Sequence, residues 1–236
     1  MSEVGLRVRS RGRALLREAK DENGEWVDLD RQAIAKRYDR LANFIPLFDW
    51  LFFQPPTFRK NAVARLGLKP GGRVLEIGCG TGRNLPYLSR AVGRTGRVYG
   101  ADLSRGMLAK ARQLRDRKGW NNVELIECDA AEYEAPVPLD GVLFGLCYNT
   151  MPHHLVVLRN AWNQLRSGGR LVIMDAKLPP GPGGDMIKPF SLWLMKNTML
   201  GNPLIKPWED LARLTDELKM EEFMFGSWYI CTGTKP

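Results

Sequence analysis

The segment Val74-Leu75-Glu76-Ile77-Gly78-Cys79-Gly80-Thr81-Gly82 runs from an apolar strand into three alternating glycines, and a helical pattern of apolar positions follows. Glycine at every second position lets the backbone turn tightly off a strand end and bares N–H groups toward a ligand, because no Cβ stands in the way. The segment therefore predicts a strand–loop–helix unit of an α/β fold, with the loop as a candidate nucleotide site. A dinucleotide fingerprint would carry its third glycine at position 83, where this chain has Arg83.

Arg97-Val98-Tyr99-Gly100-Ala101-Asp102 reads as a second strand, ending in a carboxylate 20 residues after Gly82. That position suits an acid that accepts both ribose hydroxyls of a nucleoside. Asp102 has a second reading, as a first-turn carboxylate ahead of Ser104, where the helix dipole favours acids. Val123 to Ala130 gives a third strand ending in Asp129, Gly141 to Leu146 a fourth, and a Gly168-Gly169 turn leads into a fifth over Arg170 to Asp175. Between them lie helical patterns at Leu85, Leu88 and Ala91, at Met107, Leu108, Ala111 and Leu114, and at Leu155, Leu158, Trp162 and Leu165. Strands alternating with helices predict a parallel sheet covered on both faces.

The spacing Glu76-x-Gly78-x-Gly80-x-Gly82, followed in order by Asp102 and Asp129 at strand ends, resembles motif I and its downstream acids in the class I S-adenosylmethionine-dependent methyltransferases. The resemblance is close from about residue 70 to residue 178. It implies a Rossmann-like α/β fold with a seven-stranded, mostly parallel sheet, helices on both faces and an antiparallel last strand. The closing hairpin is expected at Glu221 to Phe225 and Trp228 to Thr232, after a helix bearing Leu211, Leu214 and Leu218. The implied cofactor is S-adenosyl-L-methionine, held by Glu76, Gly78, Cys79, Gly80, Gly82, Asp102, Leu103, Asp129, Ala130 and Leu146. By the same resemblance Asp102 takes the ribose, Asp129 faces the adenine amino group, and the Ala130 amide meets a ring nitrogen. Glu76 orients the loop or meets the methionine ammonium, and Cys79 is a small loop residue rather than a nucleophile.

At 236 residues and 44% hydrophobic composition, the chain can bury one α/β core with extensions but not a second full domain. The expected division is a basic arm with lid helices over 1–69 and a methyltransferase domain over 70–236, with an apolar insert at about 179–207. Cys79, Cys128, Cys147 and Cys231 show no paired spacing, so neither a disulfide framework nor a zinc site is predicted. The start lacks the apolar core of a signal peptide and no 18-residue apolar run occurs, so the expected location is cytoplasmic, with peripheral contact to the inner membrane face as an option.

The net charge of +9 is unevenly placed: residues 1–20 hold six basic side chains (Arg7, Arg9, Arg11, Arg13, Arg17, Lys20) against Glu3 and Glu18, an excess of four. Such an arm is a solvated tail, an anchor for anionic lipid, or a contact for nucleic-acid phosphate. Nucleic acid ranks below lipid, because no aromatic-studded RNA-binding pattern accompanies the arm. Ile34, Tyr38, Leu41 and Ile45 recur at helical spacing until Pro46, an apolar run over 47–53 follows, and Thr57 can cap a helix bearing Phe58, Ala62 and Leu66. The breaker-rich stretch Leu178 to Gly184 predicts a loop. The apolar run Ile187 to Leu200 beyond it reads as a core or lid helix, or as an interfacial helix with Phe190, Trp193, Met195 and Met199 toward lipid and Lys188 and Lys196 toward headgroups.

Candidate catalytic residues lie after the fourth strand, at Tyr148, His153 and His154. A neutral imidazole can take a proton near pH 7 if the acceptor is carbon or oxygen; a histidine pair opening a helix is also a structural feature. Tyr148 is a candidate for positioning substrate. Asn149 resembles the first residue of the Asn/Asp-Pro-Pro-aromatic signature of amino-methylating enzymes, but Thr150 and Met151 replace both prolines. Arg37-Tyr38-Asp39, the strand Leu171 to Asp175 and the exit Ala176-Lys177-Leu178-Pro179 are similar to the ubiquinone/menaquinone C-methyltransferase-like group and to the bacterial phosphatidylethanolamine N-methyltransferases. The chain departs from the quinone enzymes at Leu41-Ala42-Asn43, where they carry Met-Asn, and at Asp175, where they carry Glu. The expected activity is methyl transfer to a lipid or other hydrophobic small molecule. A soluble metabolite, RNA or protein acceptor and a non-catalytic cofactor-binding partner are the alternatives.

Overall fold

The computed structural model describes residues 36, 38, 39, 57–151, 153–197, 201–202 and 204–236. The basic arm, most of the helix expected before Pro46 and the apolar run over 47–53 lie outside these residues. Strands β1 (Arg73–Ile77), β2 (Arg97–Asp102), β3 (Val123–Glu127), β4 (Leu139–Gly145), β5 (Leu165–Ala176), β6 (Leu218–Phe223) and β7 (Trp228–Thr234) form one sheet in the order β3-β2-β1-β4-β5-β7-β6. The first five are parallel, and β7 runs antiparallel to both neighbours. The order reverses at β1/β4, so the carboxyl ends of those two strands open the crevice where ligands bind in such sheets.

Two apolar layers follow from alternation along the strands. Leu75, Ile77, Val142, Phe144, Leu171 and Ile173 face one side, with Val157, Leu158, Ala161 and Trp162 of helix α4 (His154–Asn163) and Leu211 of helix α6 (Pro207–Ala212). Val74, Leu143, Val172 and Met174 face the other side, against helices α1 (Phe58–Arg65), α2 (Leu85–Val92) and α3 (Arg105–Lys118). Glu76 shares the parity of Val74 and so points into the second layer.

Helix α1 is part of this core rather than a lid over the loop. Its buried Phe58 meets Phe223 and Trp228 edge-on at 5.6 and 5.3 Å. Burying such a ring contributes about 1.5–3 kcal/mol, which fixes α1 to the sheet. Arg59, in its first turn, reaches Asn84 just beyond the glycine loop at 2.9 Å.

Three local expectations are revised. Leu165 opens β5 instead of closing α4, and Leu218 opens β6 instead of ending a helix. Their leucine spacing was helical, but Thr215 turns the chain between α6 and β6: its Oγ1 accepts from Glu217 N at 3.0 Å and donates to Thr234 O at 2.7 Å. The expected loop ends early, because helix α5 (Pro182–Asn197) begins at Pro182, whose fixed φ suits a first helical turn.

Candidate active site

The glycines after β1 have different tasks. All three lie in the left-handed region, at φ 63° for Gly78, 54° for Gly80 and 84° for Gly82. A Cβ at Gly78 would stand 2.7 Å from Cys147 Cβ, and one at Gly82 would stand 2.7 Å from Leu85 Cδ1. Those two positions are closed by packing. A Cβ at Gly80 would meet nothing within 4 Å, so Gly80 faces open space. Cys79 between them is buried, and burial pushes its thiol well above the usual range, as expected of a loop-packing residue rather than a nucleophile.

Asp102, at the end of β2, is bonded to this loop. Gly80 N donates to Asp102 Oδ2 at 2.7 Å and Ser104 N donates to Oδ1 at 2.9 Å. The first-turn reading of Asp102 fits this geometry, since it supports the entry to α3, whose N-cap is Ser104, and its other oxygen braces the glycine loop. Burial raises its pKa despite these bonds. The neighbouring Leu103 exposes its apolar side chain. From upstream, Asp39 Oδ1 accepts from Ser104 Oγ at 2.5 Å and Gly106 N at 2.8 Å, tying the Tyr38-Asp39 turn of helix to the same corner.

Glu76 is buried beneath the loop, with Oε1 accepting from Asn84 Nδ2 at 2.6 Å, and Asn84 Oδ1 accepting from Arg59 Nη1 at 2.9 Å. Its Oε2 is buried without a hydrogen bond. Burial pushes the carboxyl up to about 8, against the opposing effects of Asn84 and Arg59. Asn84 and Arg59 were not singled out in the sequence. Asn84 occupies the N-cap of α2 but makes no side-chain cap, because its Oδ1, the atom that would cap, accepts from Arg59 while its Nδ2 donates to Glu76.

At the third strand end, Asp129 Oδ1 accepts from Ala131 N at 2.9 Å, and Ala130 O accepts from Asn160 Nδ2 at 2.9 Å, which shapes a turn beside β2. At the fourth, Leu146 is held at φ 62°, a conformation that costs a branched L-residue about 1–2 kcal/mol. Its N–H donates to Met174 O at 2.9 Å, and Cys147 Sγ donates to Ile77 O at 3.0 Å, so the backbone is pinned on both sides. Such strain held in place is characteristic of functional sites.

The structure places the three catalytic candidates beside Asp210 and at the start of α4. Tyr148 is fully buried, packed edge-on against Phe144 and His154 at 5.3 and 5.2 Å, with its hydroxyl donating to Asp210 Oδ2 at 3.1 Å. Burial raises its pKa further. It is a core tyrosine with a satisfied hydroxyl. His154 Nε2 lies 3.7 Å from Asp210 Oδ2, and burial lowers its pKa, so it is neutral near pH 7 and belongs to this Tyr148–Asp210 cluster. His153 is the N-cap residue of α4 and its carbonyl accepts from Val156 N and Val157 N, a backbone role.

Asp175, noted in the sequence only as a departure from the quinone enzymes, is a buried polar group at the end of β5. Its Oδ1 accepts from Ala176 N at 2.9 Å and its Oδ2 from Asn149 N at 3.4 Å, and burial pushes it up to about 7. Asn149 and the Tyr229 hydroxyl are buried nearby, close enough for the Asn149 side chain to act on the phenol. Burial and the Asp175 charge push the Tyr229 phenol up. The Tyr38 phenol is raised to about 12 by burial, against a hydrogen bond with Thr150. Among the described residues no cluster of side chains could hold a metal ion.

Residues 74–169 match the family described as a methyltransferase domain. Over 161 residues the chain is 34% identical to the demethylmenaquinone methyltransferase of Staphylococcus aureus (strain JH9), an alignment covering 68% of this chain and 64% of the relative. The chain belongs to the class I S-adenosylmethionine-dependent methyltransferases. It spans just under two thirds of the length of the curated relatives it matches. Solved methyltransferases share the fold: a S-adenosylmethionine-dependent methyltransferase from Aquifex aeolicus has a TM-score of 0.59 at 21% identity, covering 83% of this chain and 98% of that one. The phosphoethanolamine N-methyltransferase 2 of Haemonchus contortus, in complex with phosphomonomethylethanolamine and S-adenosylhomocysteine, has a TM-score of 0.69 at 18% identity, covering 88% of this chain and 60% of that one. S-adenosylmethionine is accordingly the cofactor of this methyltransferase family, as the resemblance implied.

Proposed function

We propose that this chain transfers the methyl group of S-adenosylmethionine to a hydrophobic acceptor, a lipid-soluble ring or a phospholipid headgroup amine, by direct in-line displacement. The observation that carries the acceptor class is the bare apolar face of α5, where Met186, Phe190 and Trp193 are 78%, 61% and 58% exposed and the two rings stack at 5.9 Å. A polar substrate gives no reason to leave such a face uncovered, whereas a lipid surface does. The relative named for demethylmenaquinone supports a quinone-type ring. Together with the basic arm, α5 supplies the two weak signals that peripheral binding to an anionic bilayer requires.

The residues present fit the cofactor. Gly80 leaves room for a ligand against bare backbone, Leu103 offers an exposed apolar surface beside Asp102, and Glu76 Oε2 is a buried acceptor without a donor, suited to an ammonium. Asp102 would take the ribose on the lone pairs not used by Gly80 and Ser104, and the Asp129–Ala130 turn would take the adenine. When bound, S-adenosylmethionine supplies the electrophilic methyl, which leaves alignment and exclusion of water to the protein. A carbon or oxygen acceptor must also lose a proton. Asp175, at the β5 end of the crevice and near neutrality, is the group suited to receive it. The test is incubation with S-adenosylmethionine and demethylmenaquinone carried in anionic vesicles, read by mass spectrometry. A quinone one methyl group heavier is expected, and its absence with an intact cofactor site would remove the quinone ring from the proposal.

A further inference from the structure

Among the described residues, the large apolar side chains left exposed include four on α5, Leu103 beside Asp102, and two more that none of these elements explains: Met224 and Phe225, 49% and 94% exposed in the turn between β6 and β7. Both adopt left-handed backbone conformations, at φ 48° and 57°, ahead of Gly226 at 80°. Glycine or asparagine serves such positions with little penalty, whereas a methionine and a phenylalanine pay the Cβ clash. Folding alone would not select two bulky apolar residues for a strained turn in which they bury little. Exposed apolar surface of this kind marks a contact site.

The topology says where the turn points. Ala176, the last residue of β5, pairs with Trp228, the first of β7, and Lys177 N donates to Ser227 O at 2.8 Å. The turn therefore projects beyond the carboxyl end of β5, on the edge of the sheet that also carries the glycine loop and Asp102. A Cβ at Gly226 would stand 2.9 Å from Pro180 Cδ, so the turn abuts the segment that leads into α5. The two acids before the turn are neutralised, Glu221 by Arg65 at 2.5 Å and Glu222 by Lys177. On a chain of net charge +9, nothing at the turn repels an anionic surface.

We infer that the Met224–Phe225 turn is a second apolar contact with an anionic lipid bilayer, which with α5 sets the site-bearing edge of the sheet down on the membrane. This rests on the peripheral membrane reading above and adds to it an orientation: two apolar points on one edge fix which end of the sheet faces the lipid, so that a hydrophobic acceptor reaches the crevice without crossing water.

The test is co-sedimentation of the full chain with phosphatidylglycerol-containing vesicles and with neutral phosphatidylcholine vesicles, comparing wild type, Phe225→Asn and Trp193→Ser. Phe225→Asn is expected to lower partitioning onto anionic vesicles about tenfold, the loss of one buried aromatic side chain. Its Tm without vesicles should equal or exceed that of wild type, because asparagine tolerates the left-handed turn, and its affinity for S-adenosylhomocysteine should be unchanged. If Trp193→Ser releases the protein while Phe225→Asn sediments like wild type, the turn proposal is overturned and the α5 reading stands. If wild type stays in the supernatant with anionic vesicles at low salt, both fall. A lower Tm for Phe225→Asn would mean that the turn is covered by this chain's own apolar residues, such as those at 47–53, and dissociation of a dimer by the substitution would mean that a second copy covers it. Either result overturns the membrane assignment.

Discussion

The Gly80 N–H donates to Asp102 Oδ2 at 2.7 Å, so the turn after the first strand and the acid ending the second form one hydrogen-bonded unit. The open space over Gly80 and the carboxylate are thus held in a fixed relation before any ligand arrives.

Asp102→Ala removes a ribose acceptor and the brace on Gly80 together. Affinity for S-adenosylhomocysteine should fall by about 1–3 kcal/mol, the cost of leaving polar groups unpaired. Calorimetry on the purified variant reads this directly; unchanged affinity with a native fold would refute the ribose role.

Gly80→Val puts a branched side chain into the space that the loop leaves open and into a left-handed conformation. Cofactor binding should be abolished, while stability drops by only about 1–2 kcal/mol, because no neighbour is struck. Retained binding would mean that the cofactor lies elsewhere. At Gly78 the same change should unfold the corner, since Cys147 stands in the way.

Glu76 gives a pH signature. Its folded pKa of about 8 lies above the ordinary 4.5, so between these values the native state holds a proton that the unfolded chain has released. Stability of the ligand-free protein should therefore fall as pH rises through that window, and Glu76→Gln should flatten the fall. A cofactor ammonium at Oε2 favours the ionised form, so binding at pH 7 should release a proton. Calorimetry in buffers of different ionisation enthalpy would show it, and no difference between wild type and Glu76→Gln would remove Glu76 from the ammonium site.

Much of this corner was legible from local pattern. Glycine spacing and apolar runs of strand length depend on neighbours a few residues away, so β1 to β5, the loop and the strand-end acids Asp102 and Asp129 could be read directly. What escaped depends on distant contacts. Asn84 is a helix N-cap by position, and only the approach of Glu76 and Arg59 turns its amide inward. Asp175 read as a strand end that departs from the quinone enzymes, and only distant contacts bring Asn149 and Tyr229 to it. Tyr148 lies where a substrate contact was expected, yet Asp210, 62 residues away, captures its hydroxyl. Leu218 continued a helical spacing that Thr215 cut short.

Tyr148→Phe tests whether the tyrosine serves the core alone. Losing the bond to Asp210 should cost about 0.5–1.5 kcal/mol of stability in denaturant unfolding and leave cofactor affinity and turnover near wild type. A large loss of turnover in a stable variant would return Tyr148 to the catalytic centre.

Transfer of label from methyl-labelled S-adenosylmethionine into a total lipid extract, resolved by thin-layer chromatography, tests the central claim most directly. The account predicts label in a lipid-soluble product, dependent on Asp102 and strongly reduced by Asp175→Asn if the acceptor is a carbon or an oxygen. Label that stays in the aqueous phase, and enters the product pool only when soluble metabolites, RNA or protein are supplied, would contradict it.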